Sequence, residues 1–269
     1  SKDKDVRLMN FQERIISGLG AVALAGGALV GASPAAQAAV GDVSTFDVAQ
    51  DPNNPPDLEN AVLGPDGLVW VFDENEDEFV RVDTSGVARG VVAADSCDAE
   101  YQLVSFAESV WCLEDDFAHR YYSDGRREQI RMPAEFDDKV DEDSMKGVVG
   151  PDGQLWIVGS ADVFTVDVVT NFNNDVTVIR QMALLAVPVS SSGVFGSVIT
   201  LGNEQGSWAS SNFGRYVSLE SGPDGRMYFA WSPGYDIYSG QVSNVYGTFT
   251  TDGIVTSAIE RGDSQTMGL

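Results

Sequence analysis

Histidine is almost missing: His119 is the single one in 269 residues. No Ser-His-Asp arrangement can therefore be assembled with confidence around one imidazole. Basic side chains are also few, 16 Lys and Arg against 41 Asp and Glu, for a formal net charge of −25. A surface this acidic repels phosphate, so neither nucleic acid nor an anionic membrane is an expected partner. Acidity of this degree serves solubility, with a functional field as the alternative. No Asn-x-Ser/Thr acceptor occurs. Cysteine is limited to Cys97 and Cys112, fifteen residues apart. In an oxidising compartment such a pair is expected as a disulfide, tying the incoming loop of one repeat to its second strand. Two separately buried thiols are the alternative.

What the chain has begins with a leader. Residues 1–14 hold Lys2, Lys4, Arg7 and Arg14, residues 15–32 carry no charge, and Ala36-Gln37-Ala38 follows Pro34. A positive flank, an apolar run and a small-residue site predict a secretory signal peptide over residues 1–38, cleaved after Ala38. The alternative is a retained anchor, for which the Gly- and Ala-rich run makes a weak span. A secreted or periplasmic protein is expected, with one domain over residues 39–269, free of the membrane after cleavage and monomeric. The composition of the 269-residue sequence, 43% hydrophobic and 10% aromatic, is ample for a sizeable all-β core.

That domain is organised around a repeat. AVLGPDGLVWVFD (61–73) returns as GVVGPDGQLWIVG (147–159) and LESGPDGRMYFAW (219–231). In the first copy Pro65 presets φ, Asp66 suits the third turn position, and Gly67 takes the positive φ that closes a hairpin. Each copy predicts strand a, a turn and strand b, followed by strand c, a second turn and strand d. In the first unit these are 60–63, 68–72, 79–82 and 87–92. The second unit has lost Pro-Asp-Gly, yet Trp111 stands 41 residues after Trp70 and 45 before Trp156. The third runs from Met145 to 176–181, with TNFNN as its c–d turn. Tyr228 lies 72 residues beyond Trp156, which predicts a degenerate fourth unit between 182 and 214, built on ALLAVPV and VFGSVITL. The last unit carries a long b–c excursion, SPGYDIYSGQVS. Trp208 has no place in this register. Five four-stranded units without helical periodicity predict an all-β fold, a β-propeller of about five blades closed by an N-terminal strand, residues 43–48. An open β-sandwich is the alternative.

GPDG before apolar-Trp-apolar, then a T-x-G or S-D-G turn, resembles the repeat of the streptogramin (virginiamycin B) lyases and, more loosely, NHL-type and lactonase propellers. The resemblance covers most of 43–269 and implies a propeller. It also implies elimination chemistry resting on a His, a Glu and a magnesium ion. Here the family is longer, seven-bladed where this chain has room for five, and one histidine cannot be matched to its catalytic set. Glu59 resembles the position of a metal-binding Glu in lactonase propellers.

Candidate site residues follow from strand order. If strand a runs downward, the short a–b and c–d turns share one face, while long acidic b–c and d–a loops share the other. About half of the acids beyond residue 38 fall in those loops. DENEDE (73–78) and Asp137, Asp138, Asp141 and Asp143 offer oxygen ligands suited to Ca²⁺ or Mg²⁺, without EF-hand spacing. Asp73, Glu76, Asp137 and Asp141 are the candidate metal ligands, and a solvated loop is the other reading of each run. His119 falls in a strand c, expected on a blade surface, with general base as the alternative. Arg261-Gly262-Asp263-Ser264 spells an integrin-recognition tetrapeptide that arises readily by chance. Two functions remain: a non-catalytic exported module binding a small ligand or basic protein through its acidic face, and a divalent-cation-dependent lyase or lactonase-like enzyme. The scarcity of histidine favours the first.

Overall fold

The computed structural model describes residues 58–97, 102–114, 116–137, 139–169, 176–206, 216–235 and 241–263. The leader, residues 43–48, Asp138 and Trp208 lie outside these. Among the described residues sixteen strands form four antiparallel four-stranded sheets, with a single 3₁₀ turn and no α-helix. The first sheet is β1 (Leu58–Leu63), β2 (Val69–Asp73), β3 (Glu78–Val82) and β4 (Ala88–Ala93). The second is β5 (Gln102–Phe106), β6 (Ser109–Leu113), β7 (Phe117–Tyr122) and β8 (Arg127–Arg131). The third is β9 (Lys146–Val149), β10 (Leu155–Val169), β11 (Val176–Val189) and β12 (Ile199–Gly206). The fourth is β13 (Tyr216–Ser221), β14 (Met227–Tyr235), β15 (Gln241–Phe249) and β16 (Val255–Asp263). Each is a simple up-and-down meander in chain order, the construction of a propeller blade.

The turns explain why the motif repeats. Gly67, Gly153 and Gly225 take φ of 76°, 75° and 78°, the left-handed region that glycine enters without a Cβ penalty. Each turn closes with two backbone bonds, as in Gly64 N to Leu68 O at 2.7 Å and Gly67 N to Gly64 O at 3.1 Å. The aspartate between them then reaches forward four residues. Asp66 accepts from the Trp70 indole at 2.9 Å, Asp152 from that of Trp156 at 3.2 Å, and Asp224 from the Tyr228 hydroxyl at 2.9 Å. An aromatic residue with a polar handle is thereby fixed beside each turn. Its ring lies over the first glycine of the motif: a Cβ at Gly150 would sit 2.5 Å from Trp156 Cδ1, and one at Gly64 or Gly222 would meet Trp70 or Tyr228 closer still.

The chain divides into two compact units, residues 1–110 with 121–127, and residues 111–120 with 128–269. In the first, β5 lies against β1, and Trp70, Phe72 and Tyr121 surround Phe79 at centroid distances of 5.2 to 5.7 Å. In the second, β9 lies against β13. Trp156, Val158, Met182, Leu184, Leu201, Leu219, Phe229, Trp231 and Phe249 make one core between the third and fourth sheets. Burying side chains of this size contributes roughly 1.5–3 kcal/mol each. A disulfide joins Cys97, on the connection after β4, to Cys112 in β6.

Three expectations are corrected. Residues 176–181 are not a strand d: they open a 14-residue β11 that continues through ALLAVPV and is the third strand of its sheet, while TNFNN itself lies outside the described residues. The two segments on which a degenerate fourth unit was expected do not form one among the described residues: ALLAVPV lies in β11, and VFGSVITL runs into β12, of the third sheet. The SPGYDIYSGQVS excursion is likewise in part strand, since Gly234 and Tyr235 pair with Ser243 and Val242. Among the described residues the four sheets lie between 58 and 263, each with four strands. At the far end of β10 and β11, Phe164–Val169 pairs with Val176–Gln181. Among the described residues β12 joins this ribbon only at Arg180 and Gln181.

Candidate functional site

The meander fixes which connections share an end within each sheet. Segments 74–77 and 114–116 leave the end of the second strand, and residues 94–97 and 132–145 leave the same end after the fourth. In the first sheet Asp73 closes β2 opposite Glu78, buried, and accepts from the Asn75 amide at 3.1 Å. Asp77 completes the turn at φ 49°, a left-handed conformation that Asp tolerates better than most residues, and its carbonyl accepts from the Ala94 amide at 2.7 Å. Desolvation, then the charges of Asp73 and Glu76, hold the Glu78 carboxyl above the ordinary glutamate range. Asp73 and Glu76 are thus brought together, with Glu78 as a third carboxylate that the fold adds to them.

The second acidic run is built differently. Phe136 is fully buried and anchors a turn on Pro133, whose carbonyl accepts from the Phe136 amide at 2.8 Å. Asp137 then faces Arg131, which donates to it through Nη2 at 2.6 Å and Nε at 3.1 Å. That guanidinium, with a hydrogen bond from Asp116, holds its carboxyl below the ordinary aspartate range. Asp141 belongs to another network. Its amide donates to Ser160 O at 2.9 Å and its carbonyl accepts from Ser144 Oγ at 2.6 Å. Ser144 Oγ in turn accepts from the Ser160 amide at 2.8 Å, and Ser160 Oγ accepts from the Trp231 indole at 3.1 Å. Asp143 lies beside Lys146, whose ammonium burial pushes down and Asp143 partly restores. Glu59 lies in β1, half-buried. Among the described residues no group of three or more His, Cys, Asp or Glu is placed to hold a metal ion.

His119 departs from its expected place on a blade surface. It is buried in β7 with 5% of its area exposed, and its Nε2 lies 3.1 Å from Glu114 Oε2, with the Phe117 ring at 6.2 Å. Arg131 stacks over Phe117 at 5.9 Å. Glu114, Asp116, His119, Arg131 and Asp137 therefore gather around Phe117 at one end of the second sheet. Glu114 and Asp116 lie in the acidic run between the second and third strands, and nothing in their spacing, or in that of Arg131, announced a charge-compensated cluster. The hairpin is the signal: in LEDDFAHR the b–c turn folds Glu114 back onto the strand that carries His119. Arg261, Gly262 and Asp263 end β16 in register with Ser243, Val242 and Gln241, so the tripeptide is strand and not a presented loop.

No family model and no curated protein matches the chain. Solved structures do. A streptogramin B lyase is 15% identical, covering 75% of this chain and 68% of its own, with a TM-score of 0.33. Inactive H270A virginiamycin B lyase from Staphylococcus aureus with quinupristin is 14% identical over 81% and 73%, with a TM-score of 0.34. A calcium-binding regucalcin from Agrobacterium tumefaciens is 15% identical over 77% and 74%, with a TM-score of 0.27. The chain is similar to the virginiamycin B lyases, and at these scores the likeness transfers no residue and no activity.

Proposed function

We propose that the chain is an exported binding module that takes a cationic ligand or a basic protein partner through the acidic connections of its sheets, foremost Asp73–Glu78. The observation that carries this reading is the placing of Glu78 against Asp73 and Glu76: desolvation, then the charges of those two, raise the Glu78 carboxyl. Folding concentrates like charge there, and a bound cation would relieve the repulsion. The run around Asp137 supports it less, because Arg131 already compensates that carboxylate. A ligand that prefers the folded state stabilises by mass action, whereas salt screens without saturating. Millimolar Ca²⁺, Mg²⁺ and hexalysine should each be compared with NaCl at matched ionic strength by thermal shift. At least one should raise Tm beyond the NaCl control, and the double variant Glu76→Gln/Glu78→Gln should lose that increment. Equal responses to every salt would refute the reading.

The buried His119–Glu114 pair favours a second reading, a divalent-cation-dependent enzyme, since a histidine with a glutamate is the combination that the lyase resemblance implies. Turnover of a streptogramin B substrate that required Mg²⁺ and was lost in His119→Ala would establish it in place of the first.

A further inference from the structure

Two arginines on third strands make the same pair of contacts in successive sheets. Arg81 of β3 stands opposite Trp70 in the ladder, with its guanidinium carbon 5.6 Å from the centroid of that indole. Its Nη1 donates to Ser123 O at 3.0 Å, in the turn between β7 and β8, and to Asp66 Oδ2 at 3.3 Å. Arg120 of β7 lies over Trp111 at 4.8 Å. Its Nη2 donates to Ser191 O at 3.2 Å, in the turn between β11 and β12, and its Nη1 to Glu128 at 3.0 Å. Arg120 is buried, and the Arg81 side chain keeps only 17% of its exposure. In both cases a b-strand tryptophan, a c-strand arginine and the c–d turn of the following sheet meet.

We propose that Arg81 and Arg120 are sequential latches, each fastening the c–d turn of one sheet onto the tryptophan-bearing face of the sheet before it. A planar guanidinium can stack on an indole and direct N–H groups in its plane at a carbonyl in the same pose; a lysine ammonium cannot do both. The chemistry therefore specifies arginine and not mere positive charge. The series stops at the third sheet, where Pro188 occupies the position opposite Trp156, and in the fourth Thr248 stands opposite Tyr228. There the large apolar core and the Trp231–Ser160 hydrogen bond join the sheets instead. The latches sit at the turn end of the sheets, away from the acidic connections, so this inference is independent of the proposed binding function.

Native-state hydrogen exchange tests it. The Tyr122 and Gly125 amides close the turn that Arg81 holds, and the Gly193 and Ser190 amides close the turn that Arg120 holds. In Arg81→Lys, exchange at Tyr122 and Gly125 should rise by about tenfold or more, as expected for losing a charge-assisted hydrogen bond. The Thr250 and Gly253 amides, in the same kind of turn in the fourth sheet, should keep their rates. Arg120→Lys should act on Ser190 and Gly193 in the same selective way. Unchanged rates at the latched turn, or a uniform rise at all c–d turns, would overturn the latch, the second outcome assigning the arginines a general share in stability.

Discussion

At the scale of the residue, the repeat is a contract among three side-chain positions. The first glycine leaves room for a ring, the aspartate holds the polar edge of that ring, and the last glycine takes the left-handed φ. Gly64→Ala should therefore cost about 1–3 kcal/mol, because the methyl group must displace the buried Trp70 indole. Chemical denaturation would read it as a lower midpoint with an unchanged slope. Gly67→Ala should also destabilise, through backbone conformation alone, since nothing lies within 4 Å of its missing Cβ. The acids divide by sign. Glu78 is raised in the folded state, so it binds its proton more tightly than in the unfolded chain; its stabilising share is complete in acid and is lost as pH rises through the folded value. Asp83 and Asp124 are lowered by hydrogen bonds from Ser85 and Arg126, so their shares are present above the unfolded value of 3.8 and vanish as pH falls further. Glu78→Gln should then flatten the decline in Tm above the ordinary glutamate range while leaving the loss in stronger acid intact.

At the scale of the element, the first two units were readable almost strand by strand, because Gly, Asp and Ser mark each hairpin by conformational preference. In the third unit and in the b–c excursion of the last, strand lengths were not readable, for one physical reason. Strand length follows from hydrogen-bonded pairing along the ladder, which alternating residues permit but do not limit. Polar stretches such as TNFNN or SPGY therefore looked like turns and excursions of fixed position. The lengthened β11 was consequently divided between two units. The cysteine pair was legible, since two cysteines fifteen residues apart, in a chain expected to be exported, suffice to expect a bond. Closing a loop of that size restricts the unfolded chain, and reduction should cost roughly 3 kcal/mol at most. Comparing melting with and without reductant, alongside the Cys97→Ser/Cys112→Ser double variant, checks this: both should lower Tm by the same amount.

At the scale of the whole molecule, the candidate site was legible as charge but not as compensation. Sequence marks where carboxylates fall; only tertiary packing decides that Arg131 meets Asp137 while Glu78 meets Asp73 and Glu76. His119 was misplaced on a surface because strand alternation alone does not say which face another sheet or loop will cover. The long β10–β11 hairpin has a consequence for the protein in concentrated solution. Among the described residues its outer part is a two-stranded ribbon, and the backbone margins of such a ribbon are a template that a second chain can extend. Mutual repulsion from a net charge of −25 keeps such margins apart in dilute buffer. At 0.1 M salt that repulsion reaches only about 10 Å. Light scattering should accordingly show a colloid that is quiet at low ionic strength and self-associates as salt is added. A Thr177→Pro substitution, which removes a backbone donor from the ribbon, should raise the salt concentration at which association begins.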